Sequence, residues 1–188
     1  RAKHPVVSRY CRRELWVVKA QMLMALDRHA EAVDYLNRAM ALKDENNDPL
    51  SEIFCTATAG ITYMGVDTIS TRAESAFRRA CRVAERSGLS NYWLYPQAIG
   101  RLADIYLQQG KYEESISLCR EAIRLCEKSG SYHGKLVVAE ILTEAYRLLG
   151  LYDEAFRYCA VGTGEPARAE VDNNLIGRFF IAKAEIHN

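Results

Sequence analysis

The chain repeats itself with a long, nearly constant period, and no other feature restricts its fold as much. Leu102, Tyr106, Gly110, Tyr112, Glu114 and Cys119 recur in the same order and at one constant offset as Leu142, Tyr146, Gly150, Tyr152, Glu154 and Cys159. Asp104 and Glu144 keep a negative charge at the same spacing. Phe77, Ala80, Ala84 and Ser87-Gly88 return one period later as Cys119, Ala122, Cys126 and Ser129-Gly130. Ala32, Leu36 and Ala39 stand one period before Ala73, Phe77 and Ala80, and Trp16, Ala20 and Leu23 one period before Thr56, Gly60 and Tyr63. Self-similarity at such a period marks stacked supersecondary units, each too small to bury its own apolar face.

Each repeat reads as two helices. In the third, Ile99, Leu102, Ala103 and Tyr106 fall at i, i+3, i+4, i+7, an apolar stripe on one helical face. Gln109-Gly110-Lys111 turns the chain, with glycine suited to the left-handed conformation at a helix end. Ile116, Cys119, Ala122, Ile123 and Cys126 form the second stripe, and Ser129-Gly130 closes it. Pro49, Pro96 and Pro166 mark helix starts, because proline is tolerated in the first turn and breaks the interior. Ala20, Ala32, Gly60, Ala73, Ala103 and Ala155 supply the small side chains that let antiparallel helices approach closely. Trp16, Leu36, Tyr63, Phe77, Tyr106 and Tyr146 are expected to fill the layers between them.

This pattern resembles the tetratricopeptide repeat family. Leu102, Tyr106, Gly110, Tyr112 and Ala122 match its motif in one repeat, and Leu142, Tyr146, Gly150, Tyr152 and Ala155 in the next. Trp16, Ala32 and Ala39 match in the first, and Gly60, Tyr63, Ala73, Phe77 and Ala80 in the second. Departures are Asp27 and Thr68 near the turn glycine, and Ser115 and Cys119 in place of an alanine and an aromatic. The resemblance implies an all-α fold, a right-handed α-solenoid of about four helix pairs plus a terminal helix. The repeats run over about 10–48, 49–88, 89–130 and 131–164, with a partial one over 165–188, in a single domain expected to be part of a longer protein. Their period is longer than the family's usual one. Long helices ending in Ser-Gly resemble the sensor segments of bacterial signalling regulators, such as the maltose-regulon activator type.

The remaining residues carry little reactive chemistry. Lysine plus arginine number 25 and aspartate plus glutamate 24, so nothing electrostatic favours nucleic acid as a partner. The one basic run, Arg1, Lys3, Arg9, Arg12 and Arg13, reads as a solvated helix face. No apolar stretch approaches the ~20 residues that a membrane span needs. Cys11, Cys55, Cys81, Cys119, Cys126 and Cys159 include no C-x-x-C pair. Cys119 and Cys159 share a repeat position with Leu36 and Phe77, so they are expected to be reduced core thiols, which favours a reducing, cytoplasmic compartment. His4, His29, His133 and His187 have no metal-ligand spacing, and no nucleophile motif is present. Gly162-Thr163-Gly164-Glu165-Pro166 lacks the lysine and strand of a phosphate loop and reads as a helix stop. Glu113-Glu114 and Asp153-Glu154 suit helix N-termini. No catalytic residue, metal or cofactor is expected, and the chain reads as a binding module rather than an enzyme.

In the family that the repeats resemble, the first helix of each repeat lines a groove. Carried over, that face comprises Gln97, Gly100, Asp104 and Gln108 in the third repeat and Val137, Glu140, Glu144 and Leu148 in the fourth. The second repeat offers Phe54, Ala57, Ile61 and Gly65, and the first Glu14, Val17, Gln21 and Ala25. The candidate ligand contacts are therefore Val17, Gln21, Phe54, Ile61, Gln97, Asp104, Gln108, Glu140 and Glu144. Apolar residues toward the N-terminus and carboxylates toward the C-terminus suit a basic, amphipathic protein or peptide. The heat-shock co-chaperone subset grips a C-terminal carboxylate with lysine, asparagine and arginine; Asp104, Glu140 and Glu144 would repel it. The expected role is the interaction or sensing segment of a regulatory protein, with a small-molecule sensor of a transcriptional or two-component regulator as the alternative. Leu175, Ile176, Phe179, Phe180 and Ile181 in the last helix, about 166–186, should pack on the fourth repeat. If that helix instead lacks its partner, the chain ends would favour self-association.

Overall fold

The stripes become helices where the spacing places them. The computed structural model describes residues 5–42, 48–66, 71–163 and 181–184, the side chains of 5–11, 133, 162 and 163 excepted. Among the described residues the helices are α1 (Pro5–Ala25), α2 (His29–Ala41), α3 (Pro49–Val66), α4 (Thr71–Arg86), α5 (Leu94–Gln108), α6 (Tyr112–Ser129), α7 (Tyr132–Leu148) and α8 (Tyr152–Thr163). A short helical stretch follows at 181–184, and no strand occurs among the described residues. The chain divides into two compact units, Arg1–Ala98 and Ile99–Asn188, each an all-α stack of the tetratricopeptide solenoid type. Thr68, Pro166, Leu175, Ile176, Phe179 and Phe180 lie outside the described residues.

In the N-terminal unit α1 pairs with α2 and α3 with α4, and α3 also packs on α1 and α2. Gly60 is the close-packing site that its repeat position predicts: a Cβ there would sit 2.7 Å from the ring of Phe77, itself fully buried. The Tyr63 hydroxyl donates to Asn37 Oδ1 over 2.7 Å and ties the second repeat to the first. Buried threonines return their hydroxyls to their own helix, Thr56 to the Glu52 carbonyl over 2.7 Å and Thr62 to that of Thr58 over 3.0 Å. That is how polar side chains occupy core positions without an unmet donor. The basic run divides. Arg12 is exposed, but Arg13 is buried and its guanidinium donates to the Leu42 carbonyl, at the end of α2. Arg13 is therefore a helix-end partner rather than a solvated charge, because the last carbonyls of α2 need a donor and the helix dipole favours a cation there.

In the C-terminal unit α7 packs on both α6 and α8. Ser115, where the motif has alanine, is fully buried and its hydroxyl donates to the Ala103 carbonyl over 2.7 Å, holding α6 on α5. Arg120 donates to the Tyr146 hydroxyl over 2.7 Å, and the rings of Tyr146 and Tyr158 stack with centroids 5.7 Å apart. The turns use left-handed backbone. Gly110 and Gly150 have φ of 75° and 72°, and Asp27 stands at the matching place in the first repeat with φ of 56°. Aspartate is among the few other residues that enter this region at modest cost, which accounts for the missing glycine. Leu36, Phe77, Tyr63 and Tyr146 are buried, while Trp16 and Tyr106 are half-buried.

Candidate ligand cleft

The C-terminal unit contains a cleft of about 400 Å³ between α5 and α7. Arg101, Asp104, Leu107 and Gln108 line it from α5, and Val137, Glu140, Ile141, Thr143 and Glu144 from α7. Ile181 and Ala182 of the 181–184 stretch add apolar surface. Each helix contributes residues at i, i+3 and i+7, which is one face at 3.6 residues per turn. The two helices come close because Gly100 has no side chain. A Cβ there would lie 3.2 Å from Val138 Cγ2. Among the lining residues Leu107 and Ile141 are buried, so the cleft has an apolar floor and a charged mouth.

The charges are held unequally. Arg147 binds both oxygens of Glu144, at 2.8 Å through Nε and 2.7 Å through Nη2, so Glu144 is largely neutralised where it stands. Asp104 accepts a long 3.4 Å contact from Gln108 Nε2, and both side chains face the cleft. Glu140 adds a third carboxylate, half-buried on α7. Arg101 places a cation three residues before Asp104 on the same wall. The mouth therefore offers both signs with carboxylates in excess, which can receive a cationic group and orient a neighbouring carbonyl or carboxylate.

Of the nine candidate ligand contacts, Asp104, Gln108, Glu140 and Glu144 come together in this cleft. Gln97, in the N-terminal unit, is half-buried. Gln21 and Ile61 are exposed and Phe54 is half-buried in the N-terminal unit. Val17 is corrected: it has no exposed surface and belongs to the core. Along α1 it lies between two contacts that draw α3 onto it, Ser51 Oγ donating to Glu14 Oε1 over 2.8 Å and Met24 against Gly65. Ala57 is buried likewise, and Gly100 is spent on the α5–α7 contact instead of facing a ligand. Arg101, Leu107 and Ile141 are cleft residues that the spacing argument missed. Helical geometry holds the signal that finds them. Four-residue steps turn a helix by about 40° one way and three-residue steps by about 60° the other, so a face centred near Asp104 takes in Arg101 and Leu107 as well as Gly100 and Gln108.

The thiols of Cys55, Cys119, Cys126 and Cys159 hold their protons. Cys119 is fully buried, and burial pushes its pKa up to about 12; Cys55, also buried, rises to about 11 for the same reason. Burial raises Cys126 and Cys159 as well. Among the described residues no three His, Cys, Asp or Glu side chains gather as a metal site, and no helix is long and apolar enough to cross a membrane.

Comparisons with known proteins agree with this architecture. Tetratricopeptide repeat models match residues 14–46 and 95–158, together more than half of the chain. No curated protein matches the sequence. Among solved structures the chain is similar to a signal transduction ATPase with numerous domains that carries a tetratricopeptide repeat sensor, from Pyrococcus horikoshii, at 18% identity and a TM-score of 0.71. The match covers 94% of this chain and 25% of that one. The apo form of RapI aligns at 16% identity with a TM-score of 0.80, over 96% of this chain and 49% of that one. BtubC from P. vanneervenii aligns at 14% identity with a TM-score of 0.73, over 98% and 84%. The chain thus spans a quarter of the first of these proteins and about half of the second, and likeness at such identities concerns the fold.

Proposed function

The chain belongs to the tetratricopeptide repeat family, and from that premise we propose that it is a protein- or peptide-binding module whose ligand enters the α5–α7 cleft, as the interaction or sensing segment of a regulatory protein. The observation that carries this reading is the convergence of Asp104, Gln108, Glu140 and Glu144, from two repeats, on one cleft with an apolar floor. An amphipathic segment with a basic residue fits. Its apolar side chains meet Leu107, Val137, Ile141 and Ile181, its cation meets Asp104 and Glu140, and Arg101 meets a backbone carbonyl or carboxylate beside that cation. Gln21, Phe54 and Ile61 form a second, mostly apolar contact surface in the N-terminal unit under the same proposal, and Gln97 a polar one.

One observation favours the small-molecule alternative, in which the cleft serves a metabolite sensor. A volume of about 400 Å³ falls within the range of small-ligand sites. A screen of basic amphipathic peptides against a metabolite panel, read by calorimetry, separates the two. Peptide binding that Asp104→Asn with Glu140→Gln weakens about tenfold or more supports the module reading. Peptide binding indifferent to both substitutions would place the ligand elsewhere, and a metabolite as the sole hit would favour the sensor.

A further inference from the structure

We propose that the groove between α6 and α8 binds a phosphomonoester carried on an aromatic or apolar group, with Arg120 and Arg124 receiving the phosphoryl oxygens. Arg120, Ile123, Arg124 and Tyr158 line a recess of about 480 Å³ there. Arg120 and Arg124 are exposed and four residues apart on α6, so they stand one above the other on a single face. Ile123 and Tyr158 are half-buried and give the recess an apolar wall. None of these residues lines the α5–α7 cleft, so the inference is separate from what binds there.

Comparison of the repeats shows that the fold does not need this charge. Arg120 donates to the Tyr146 hydroxyl, but at the same repeat position in α2 the neutral Asn37 makes the same tie, to Tyr63. Arg78 holds that position in α4 and is balanced at 2.7 Å by Glu74 of its own helix. In α6 the place of that glutamate is taken by Ile116, which is buried. Among the described residues neither Arg120 nor Arg124 has an ion pair. Glu127 is taken by Lys135 at 2.6 Å and Glu154 by Arg157 at 3.2 Å, while Glu121 borders Arg124 from a separate recess. Two guanidinium groups one turn apart offer more donors than the two oxygens of a carboxylate can use. A phosphoryl group has three acceptor oxygens and nearly two negative charges, and so matches the pair. Arg120 is already steadied by Tyr146, and Tyr158 by its stacking on the Tyr146 ring, so less freedom is lost on binding. The carrier of the phosphoryl group then lies along Ile123 and Tyr158.

Calorimetry of the 188-residue chain with phenyl phosphate tests this, with inorganic phosphate and benzoate as comparators. Phenyl phosphate should bind most tightly of the three, and its binding should strengthen as pH rises through about 6, where the second phosphate proton leaves. Arg120→Gln with Arg124→Gln should weaken it about tenfold or more, while glutamine keeps a polar group for the Tyr146 hydroxyl and the melting temperature stays unchanged. Arg124→Gln alone, which leaves that tie intact, should weaken binding about threefold or more and decides the matter if the double variant fails to fold. A phosphotyrosine peptide that binds about tenfold more tightly than phenyl phosphate supports the site with a protein as its source; equal or weaker binding supports it with a small ester as its source. Absence of phenyl phosphate binding up to about 10 mM, benzoate binding as tightly, or affinity unaltered in both arginine variants overturns the proposal. Inorganic phosphate binding as tightly as phenyl phosphate overturns the part given to Ile123 and Tyr158. Asp104→Asn with Glu140→Gln should leave phenyl phosphate binding unchanged, which separates this result from any result at the cleft.

Discussion

Gly60 and Gly110 are both turn-or-contact glycines of one repeat pattern, yet they are required for different reasons. At Gly60 the constraint is space, because the Phe77 ring fills the place of a Cβ. At Gly110 nothing lies within 4 Å of a Cβ and the constraint is backbone, with φ at 75°. Gly60→Ala should therefore cost about 1–3 kcal/mol through overpacking, and Gly110→Ala about 1 kcal/mol through left-handed strain. Urea unfolding measures both; an unchanged Gly60→Ala would mean the helix pair is looser than its contacts indicate. The thiols set a second residue-scale expectation. Cys55 and Cys119 hold their protons more tightly in the folded chain than at the ordinary value of 9.0. Their contribution is complete below pH 9 and is lost as pH rises through about 11 and about 12, so the melting temperature should fall in that alkaline window and not between pH 6 and 8. Native-state alkylation of Cys55, Cys119 and Cys126 should be slow until denaturant is added; fast labelling would contradict their burial. The cysteine positions were legible in the sequence because a site that also accepts leucine and phenylalanine is a packing site. The buried state of Arg13 was not, since nothing local distinguishes it from Arg12.

Helices decide more than their stripes announce. The end of α2 is satisfied from α1, through Arg13 and the Leu42 carbonyl, so one element completes another. Arg13→Ala should cost about 1–3 kcal/mol, because a charged donor is lost and a carbonyl is left short of a partner, whereas Arg12→Ala should change little. Thermal unfolding of the two variants compares them directly. The pairing α5 with α6 rests in part on Ser115 and the Ala103 carbonyl. That serine looked like a departure from the motif, and the structure gives it an acceptor on the neighbouring helix. The outward face of α5 is not fixed by its own periodicity, for a reason that belongs to this scale. Periodicity places the buried stripe well, but it fixes the remaining direction only to within a residue or so. Whether Gly100 or Arg101 faces the cleft depends on how closely α7 approaches.

At the scale of the molecule the cleft is closed on one side by a stretch distant in sequence. Ile181 and Ala182 line it, and Lys183 reaches the Phe156 ring. A chain ended at Thr163 should keep its repeats folded, lose ligand affinity about threefold or more as apolar cover is removed, and label faster at Cys159; calorimetry and thiol kinetics check the two effects. Binding of a basic peptide should also weaken as salt rises, because exposed charges are screened beyond about 10 Å at 0.1 M. Affinity independent of salt would argue that Asp104 and Glu140 do not face the ligand's cation.

The amino-acid sequence by itself determined the helical pairs, their turns, the small and large positions of the packing and hence the family, because these follow from spacing along one helix and from its repetition. It also offers Asp104, Glu140 and Glu144 on one helical face, and the structure brings them to one cleft. Only the tertiary structure decided which exposed-looking residues remain exposed. Val17 and Leu15 both sit on α1 as aliphatic side chains, and pattern alone gives no reason to prefer one as a surface. Val17 is buried because α3 packs there, and Leu15 is open because no described helix covers that side of α1. Burial is a property of what approaches a residue, and that approach is set by side chains dozens of positions away.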